Sequence, residues 1–398
     1  MARIDRAVSR KLFAALDNFR IELPSWGFAD SGTRFGKFIQ PSAAETIEEK
    51  IADAAMCHRL TGACPSLAVH YSWDFRPEQD PREVARLARR QGIRIGAINP
   101  TLFQDEQYKY GSLASPDGKA RAAALAQMID CIRIAKAVGS KLLSLWFADG
   151  TSYPGQDDLV RRKHAMADGL RKLHAAMPRD MMMLVEYKPF EPTFYHTDIA
   201  DWGMSYVLCR QAGPRARVLV DTGHHLPGCN IEHIVAFLLD EGMLGGFHFN
   251  DRKYADDDLT LGSIDPYAMF RIFNVIAQHE YATGRRAAIA YMIDQSHNEK
   301  PKIEAMLQTV DRTQTLFLKA QLVDRRALAA AQKKQDIVAA EQCLVDAYET
   351  DVRPVLAAWR RSHGLPVDAI AALRKSGYVE KSTGERQWRH GGEDDIPF

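Results

Sequence analysis

Four side chains able to bind a metal ion recur between residues 186 and 294, each at or near the end of a short apolar run. Glu186 follows MMMLV, Asp221 follows ARVLV, His248 lies near the end of LGGFHFN, and Asp294 follows AAIAYMI. Three carboxylates and one imidazole suit a hard or borderline divalent ion such as Mn²⁺, Mg²⁺ or Co²⁺. An Asp or Glu after a strand often caps the next helix instead. That account serves any one of the four; four in succession, each after an apolar run, favour a shared ion.

A second group lies close by. In Asp221-Thr-Gly-His224-His225 an imidazole stands three residues beyond a carboxylate, and Asp256-Asp257-Asp258 follows His248-Phe-Asn-Asp251. Alternate residues of an extended loop point the same way, so Asp256 and Asp258 together with His224 form a second ligand set. Asp221 has two oxygens and can bridge both ions. An Asp run alone is commonly a solvated loop; its place beside the first group gives it weight. Two ions a few Å apart would clamp two neighbouring oxygens of one substrate. His70 ends another apolar run, and Lys188 stands two residues after Glu186, on the same side of an extended chain. An ammonium there can hold a substrate oxygen or simply form a salt bridge. Trp26, Trp146 and Phe35 are candidates for an apolar wall, although aromatics are more often core. Ser296 and His297 follow Asp294. No GxGxxG follows an apolar run, and GxxxxGK[ST] and GxSxG are absent, which lowers the odds of nucleotide-dependent or nucleophile-elbow chemistry.

These residues need elements to bring them together. Eight runs read as buried strands: Ile21–Trp26, Leu67–Trp73, Ile93–Asn99, Lys141–Phe147, Met181–Tyr187, Ala216–Asp221, Leu244–Asn250 and Ala287–Ile293. Pro24 sits awkwardly in the first. Helical patterns alternate with them. In Arg121–Val138, apolar Leu125, Met128, Ile129 and Ile132 recur near a 3.6 period, and Gly139 ends the segment; Glu232–Asp240 reads the same way. Eight strands alternating with helices predict an α/β fold, a closed (β/α)8 barrel, with an open doubly wound sheet as the alternative. The barrel is preferred because its C-terminal strand ends converge on one face, which would gather all four metal-competent side chains.

From Pro301 to about Arg374 the chain reads as helix, with stripes at Ile303, Met306, Leu307, Val310, Phe317 and at Val352, Val355, Leu356, Trp359. This exceeds what one barrel helix needs. The expected organisation is a catalytic barrel over 1–300, a helical extension over 301–375 for packing and subunit contacts, and a polar, loosely anchored tail over 376–398.

Composition excludes several classes. The 398 residues are 46% hydrophobic and 26% charged, with 52 Lys+Arg against 51 Asp+Glu and a net charge of +1. That balance argues against a generic nucleic-acid or membrane-surface binder. The longest apolar run, Ala287–Ile293, falls far short of the ~20 residues of a membrane span. The N-terminus reads as an amphipathic helix rather than a signal peptide, so a soluble cytoplasmic protein is expected. Cys57, Cys64, Cys131, Cys209, Cys229 and Cys343 form no CxxC pair and read as free thiols.

At several segments the chain resembles a known family, the broad-specificity bacterial L-rhamnose isomerases within the xylose-isomerase-like barrels. The segments are LPSWG (Leu23–Gly27) with GTRF (Gly32–Phe35), YKYGSL (Tyr108–Leu113), VEYK and EPTFY (within Val185–Tyr195), VDTGHH (Val220–His225), GGFHFNDRKYADDDL (Gly245–Leu259) and MIDQSHN (Met292–Asn298). They span roughly residues 20 to 300. The resemblance implies a homotetramer and two divalent ions per subunit, manganese foremost, with Co²⁺, Mg²⁺ or Zn²⁺ as alternatives. It implies a structural ion on Glu186, Asp221, His248 and Asp294, and a catalytic ion on Asp221, His224, Asp256 and Asp258. It assigns catalysis to Asp294, Ser296, Lys188 and His70, substrate contact to Trp26, Phe35, His70, Trp146 and Lys188, and lets Phe35 reach a neighbouring subunit's site. EYK stands where the family has EHK, which bears on substrate preference. The implied activity is aldose–ketose isomerisation of a free sugar, L-rhamnose to L-rhamnulose foremost, with relaxed specificity extending to D-allose and D-allulose. The rivals are a single-metal ketose 3-epimerase-like barrel, a phosphodiester-cleaving metal barrel and a non-catalytic sugar-binding barrel.

Overall fold

Every one of the eight apolar runs forms a strand in the computed structural model, which describes residues 6–33, 36–191 and 195–390. The strands are β1 (Glu22–Pro24), β2 (Ser66–His70), β3 (Arg94–Asn99), β4 (Leu142–Leu145), β5 (Met182–Glu186), β6 (Ala216–Asp221), β7 (Leu244–Phe249) and β8 (Ala290–Ile293). All pair in parallel with their chain neighbours, and β1 pairs with both β2 and β8, which closes the barrel. Pro24 ends β1 instead of interrupting it. Seven of the eight strands are shorter than their apolar runs: among them, Tyr71–Asp74 after β2 is a single helical turn, β4 keeps only Leu142–Leu145, and β8 starts at Ala290.

Helices alternate with the strands: α1 (Arg6–Asn18), α2 (Ile47–Thr61), α3 (Pro81–Arg90), α4 (Gly118–Val138), α5 (Leu159–Ala176), α6 (Trp202–Ala212), α7 (Ile231–Asp240), α8 (Pro266–Thr283) and α9 (Lys302–Gln321). Gly139, at φ 85°, takes the left-handed position that ends α4, a conformation costly for a residue with a Cβ. Helix starts are capped by residues other than the metal-competent four. Asp201 caps α6, Asn230 caps α7 and Asp265 caps α8, while α9 starts at Pro301 with no side-chain cap. Glu186, Asp221 and Asp294 are thereby free of the capping role that their positions allowed.

The barrel lumen is filled by Ala68, Ala97, Leu184, Leu219 and Met292, a packed floor beneath the mouth. A second core lies between strands and helices, where Phe19 stacks on Phe317 at 3.9 Å and Phe247 on Phe249 at 4.7 Å. Both predicted C-terminal stripes are buried, each large side chain stabilising the fold by roughly 1.5–3 kcal/mol.

α9 packs against α8 and α2 and completes the ring of eight helices, so residue 301 precedes a barrel helix and the surplus starts later. It comprises α10 (Arg325–Lys333), α11 (Ile337–Glu349), α12 (Arg353–Ser362), α13 (Ala369–Lys375) and α14 (Tyr378–His390). The segment expected to be a loosely anchored tail is therefore helical through His390. Its anchors are polar: Tyr378 Oη donates to Asp53 Oδ1 at 2.8 Å, and buried Arg386 pairs with Asp53 at 2.9 Å and bonds the Ser42 carbonyl.

Candidate metal and substrate site

The C-terminal ends of β5 to β8 bring Glu186, Asp221, His248 and Asp294 together, with one ligand atom from each lying within 4.8 Å of the others. All are inside the barrel mouth, and Asp221 is fully buried. His248 Nδ1 stands 3.2 Å from Glu186 Oε2 and 3.5 Å from Asp294 Oδ2, while neither ring nitrogen makes a hydrogen bond. A buried imidazole facing carboxylates in this way has the placement of a ligand that shares a cation with them. The donor set fits a divalent ion.

Burial and charge act on these groups in opposite directions. Burial tends to raise the Glu186 carboxyl, yet His248 and His224 outweigh it and hold it down to about 2. Burial pushes Asp221 up to about 7. Burial tends to lower His248, but Glu186 and Asp294 lift it to about 9. Asn250 supports Asp221, its Nδ2 lying 3.1 and 3.2 Å from the two carboxylate oxygens, and the same amide reaches the Asp294 carbonyl at 3.2 Å. Backbone N–H groups of Gly223 and His224 also donate to Asp221 Oδ1.

The second ligand set shares the same cavity but is held differently. Asp256 Oδ1 lies 3.0 Å from His224 Nε2, and Asp256 Oδ2 accepts from Lys188 Nζ at 2.5 Å. His224 Nδ1 lies 3.1 Å from Glu186 Oε1. Asp258 faces the cavity from a left-handed backbone position, φ 49°, not from the extended loop that alternation predicted. Among the described residues only the first four side chains close into a compact metal-competent cluster.

A cavity of about 240 Å³ opens above these groups. Its other wall is aromatic. Trp26 meets His70 edge-on at 4.9 Å, His70 meets Trp73 at 3.9 Å, Trp73 meets Phe103 at 5.8 Å and Phe103 meets Trp146 at 5.0 Å. The arc is tied at both ends to the charged wall: Trp26 Nε1 donates to Asp294 Oδ1 at 2.7 Å, and Lys188 Nζ lies 5.1 Å from the Trp146 ring centroid. The aromatic residues follow β1 to β4, and the metal-competent ones follow β5 to β8. Each wall thus comes from one contiguous half of the barrel strands.

Trp26, His70, Trp146, Lys188, Glu186, His224, His248, Asp256, Asp258 and Asp294 therefore line one cavity, with Asp221 directly behind it. Ser296 does not join that lining; its hydroxyl donates to the Trp26 carbonyl at 3.2 Å. Phe35 lies outside the described residues. Sequence reasoning missed Trp73, Asn99, Phe103 and Ser144, which also line the cavity. Asn99 ends β3, so the strand-end rule that found His70 applied equally to it.

Residues 63–285 match the family described as xylose isomerase-like TIM barrel. A probable sugar isomerase of Mesorhizobium japonicum is 39% identical over 388 residues, covering 96% of this chain and 90% of the relative. One of Rhizobium meliloti is 38% identical over 379 residues, covering 94% and 88%. The xylose isomerase of Thermus thermophilus is 23% identical over 225 residues, covering 52% and 56%. Among solved structures, the D-psicose 3-epimerase of Clostridium cellulolyticum, with D-tagatose, superposes with a TM-score of 0.52 at 13% identity, covering 75% of this chain and 99% of that one.

Proposed function

This chain belongs to the xylose isomerase-like TIM barrel family, and from that membership we propose that it interconverts an aldose and a ketose, L-rhamnose and L-rhamnulose foremost, with relaxed specificity. The observation that carries the reading is a single cavity with six metal-competent side chains on one wall, Asp221 directly behind them, and an aromatic arc on the other. The 39% and 38% identical relatives, named probable sugar isomerases, support the class of reaction.

Glu186, Asp221, His248 and Asp294 would hold one divalent ion; Asp221, His224, Asp256 and Asp258 would hold a second, manganese being the first choice. When bound, such ions polarise two neighbouring sugar oxygens and stabilise the charge that develops as hydrogen moves between C1 and C2. The chain does the rest. Lys188, kept charged by Asp256 and Glu191, donates to a sugar oxygen. Trp26, Trp73, Phe103 and Trp146 cover the C–H faces and exclude water from the reacting carbons. His70, whose imidazole burial holds down at about 3, contacts the sugar as a neutral group. A homotetramer in the cytoplasm is part of the same proposal.

A ketose 3-epimerase with one ion is the second reading, favoured by the single compact cluster of four ligands. The test is to strip the protein with chelator, reload it with Mn²⁺ or Co²⁺, and identify products from an aldose and ketose panel. The isomerase reading expects two ions per subunit and aldose–ketose interconversion that returns on reloading. One ion with C3 epimers as products would establish the rival, and full turnover without metal would overturn both.

A further inference from the structure

The carboxylate of Asp74 lies outside the ligand set and outside the cavity lining, yet three elements converge on it. Ser25 Oγ, in the turn after β1, donates to Asp74 Oδ2 at 2.5 Å. The backbone N–H of His70, at the end of β2, donates to the same oxygen at 2.8 Å. Lys50, on α2, donates to Asp74 Oδ1 at 2.7 Å and reaches the Trp73 carbonyl at 3.5 Å. The ion pair is buried, with side-chain exposures of 5% for Lys50 and 0% for Asp74. Every residue in this knot except Lys50 is, or adjoins, a member of the aromatic arc: Ser25 precedes Trp26, His70 belongs to the arc, and Asp74 follows Trp73; Lys50 reaches the arc through the Trp73 carbonyl.

Stability alone does not explain such a pair. A buried ion pair is on average no better than a well-packed apolar pair of the same volume. What apolar side chains cannot reproduce is three directional bonds that fix two loops against each other. We propose that Asp74, with Lys50, is a positioning residue that sets the width of the cavity, holding Trp26, His70 and Trp73 at a fixed distance from the Glu186 and Asp294 carboxylates. The proposal takes the cavity as its premise and rests on the sugar reading only for its kinetic arm.

Two independent readouts test it. Protein labelled with 5-fluorotryptophan gives one ¹⁹F resonance for each of the six tryptophans, assigned with single Trp→Phe variants. Asp74→Ala should shift and broaden the Trp26 and Trp73 signals and leave that of Trp202 in place. Asp53→Asn is the control. It disturbs another buried carboxylate, which lies on the same helix as Lys50 and pairs with Arg386 of α14, and should leave the Trp26 and Trp73 signals unmoved. Kinetically, Asp74→Ala should raise KM for the preferred sugar about tenfold, the scale expected when groups facing a substrate are misplaced by a fraction of an ångström, with metal content unchanged. Asp74→Asn and Lys50→Met should each fall between wild type and Asp74→Ala, and their combination should recover part of the loss by removing the unpaired charge. They also keep the question open to test if the alanine variant does not fold. Unmoved Trp26 and Trp73 signals in folded Asp74 variants, or an equal movement in Asp53→Asn, overturn the proposal. If wild-type protein turns over no sugar, the sugar reading fails while the fluorine spectra still decide the role of Asp74.

Discussion

Seven metal-competent side chains, six lining one cavity and Asp221 directly behind it, are anchored unequally, and the inequality is testable. Glu186, His248 and Asp294 come from three different strands of the closed sheet, and an ion among them would tie the barrel mouth together. Glu186→Gln should therefore lose bound metal, lower the melting temperature and remove most activity. Asp256 and Asp258 lie in a loop between β7 and α8, less constrained than strand ends. Asp256→Asn with Asp258→Asn should keep the fold and one tight ion while isomerisation falls by at least about a hundredfold, roughly 3 kcal/mol in the barrier. Metal count, melting temperature and kcat in the two variants check the division; near-normal kcat in the loop variant would refute it. Glu186, Asp221, His248 and Asp294 were legible in the sequence because each lies at or near the end of an apolar run whose strand direction fixes where it points. Trp73 and Phe103 were not, because they stand in the turns beyond the strands, where no period predicts the direction of a ring. Asp74 was hidden for a related reason: its partners Ser25 and Lys50 lie 49 and 24 residues away.

Elements show the same contrast. The eight strands were readable because a buried parallel strand must be apolar along its length, and α9 because its inner face repeats with the helical period. α14 was not, since Tyr378, Ser382 and Arg386 read as a solvated face. Tyr378 and Arg386 pair with Asp53, on α2, 333 residues before Arg386, and pairing over that distance leaves no local trace. Asp53 is fully buried and Arg386 is 6% exposed at its side chain. Removing one member of such a pair leaves the other buried and unpaired, at a cost of about 3–5 kcal/mol. Arg386→Ala should therefore lower unfolding stability by about 3 kcal/mol and loosen α14, read by urea denaturation and by amide exchange over residues 378–390. Ion pairs exposed on both sides, such as Lys109 with Glu106, should change stability little when broken.

At the scale of the molecule, the helices beyond the barrel leave apolar side chains in solvent, with Ile337 and Val338 of α11 70% and 77% exposed. Such residues suit contacts between subunits. The proposed homotetramer is checked by light scattering at working concentration, and Ile337→Asp with Val338→Asp should shift the population toward smaller species if α11 takes part. A stable monomer would remove subunit contacts from the account. The two-walled cavity has one more consequence. Because the strands are joined in chain order, the aromatic residues that would face the sugar's carbon skeleton follow the first four strands, and those that would hold metal follow the last four. The aromatic wall and the metal-competent wall are thus encoded in separate, uninterrupted stretches of the gene, with Lys188 alone of the proposed sugar contacts lying in the second. A recombination crossover placed between Trp146 and Glu186 would exchange the aromatic wall without rewriting the metal-competent one. A chimera carrying the first four βα units of a 39% identical relative on the remainder of this chain should keep this chain's metal stoichiometry while its ranking of sugars by kcat/KM moves to that of the donor.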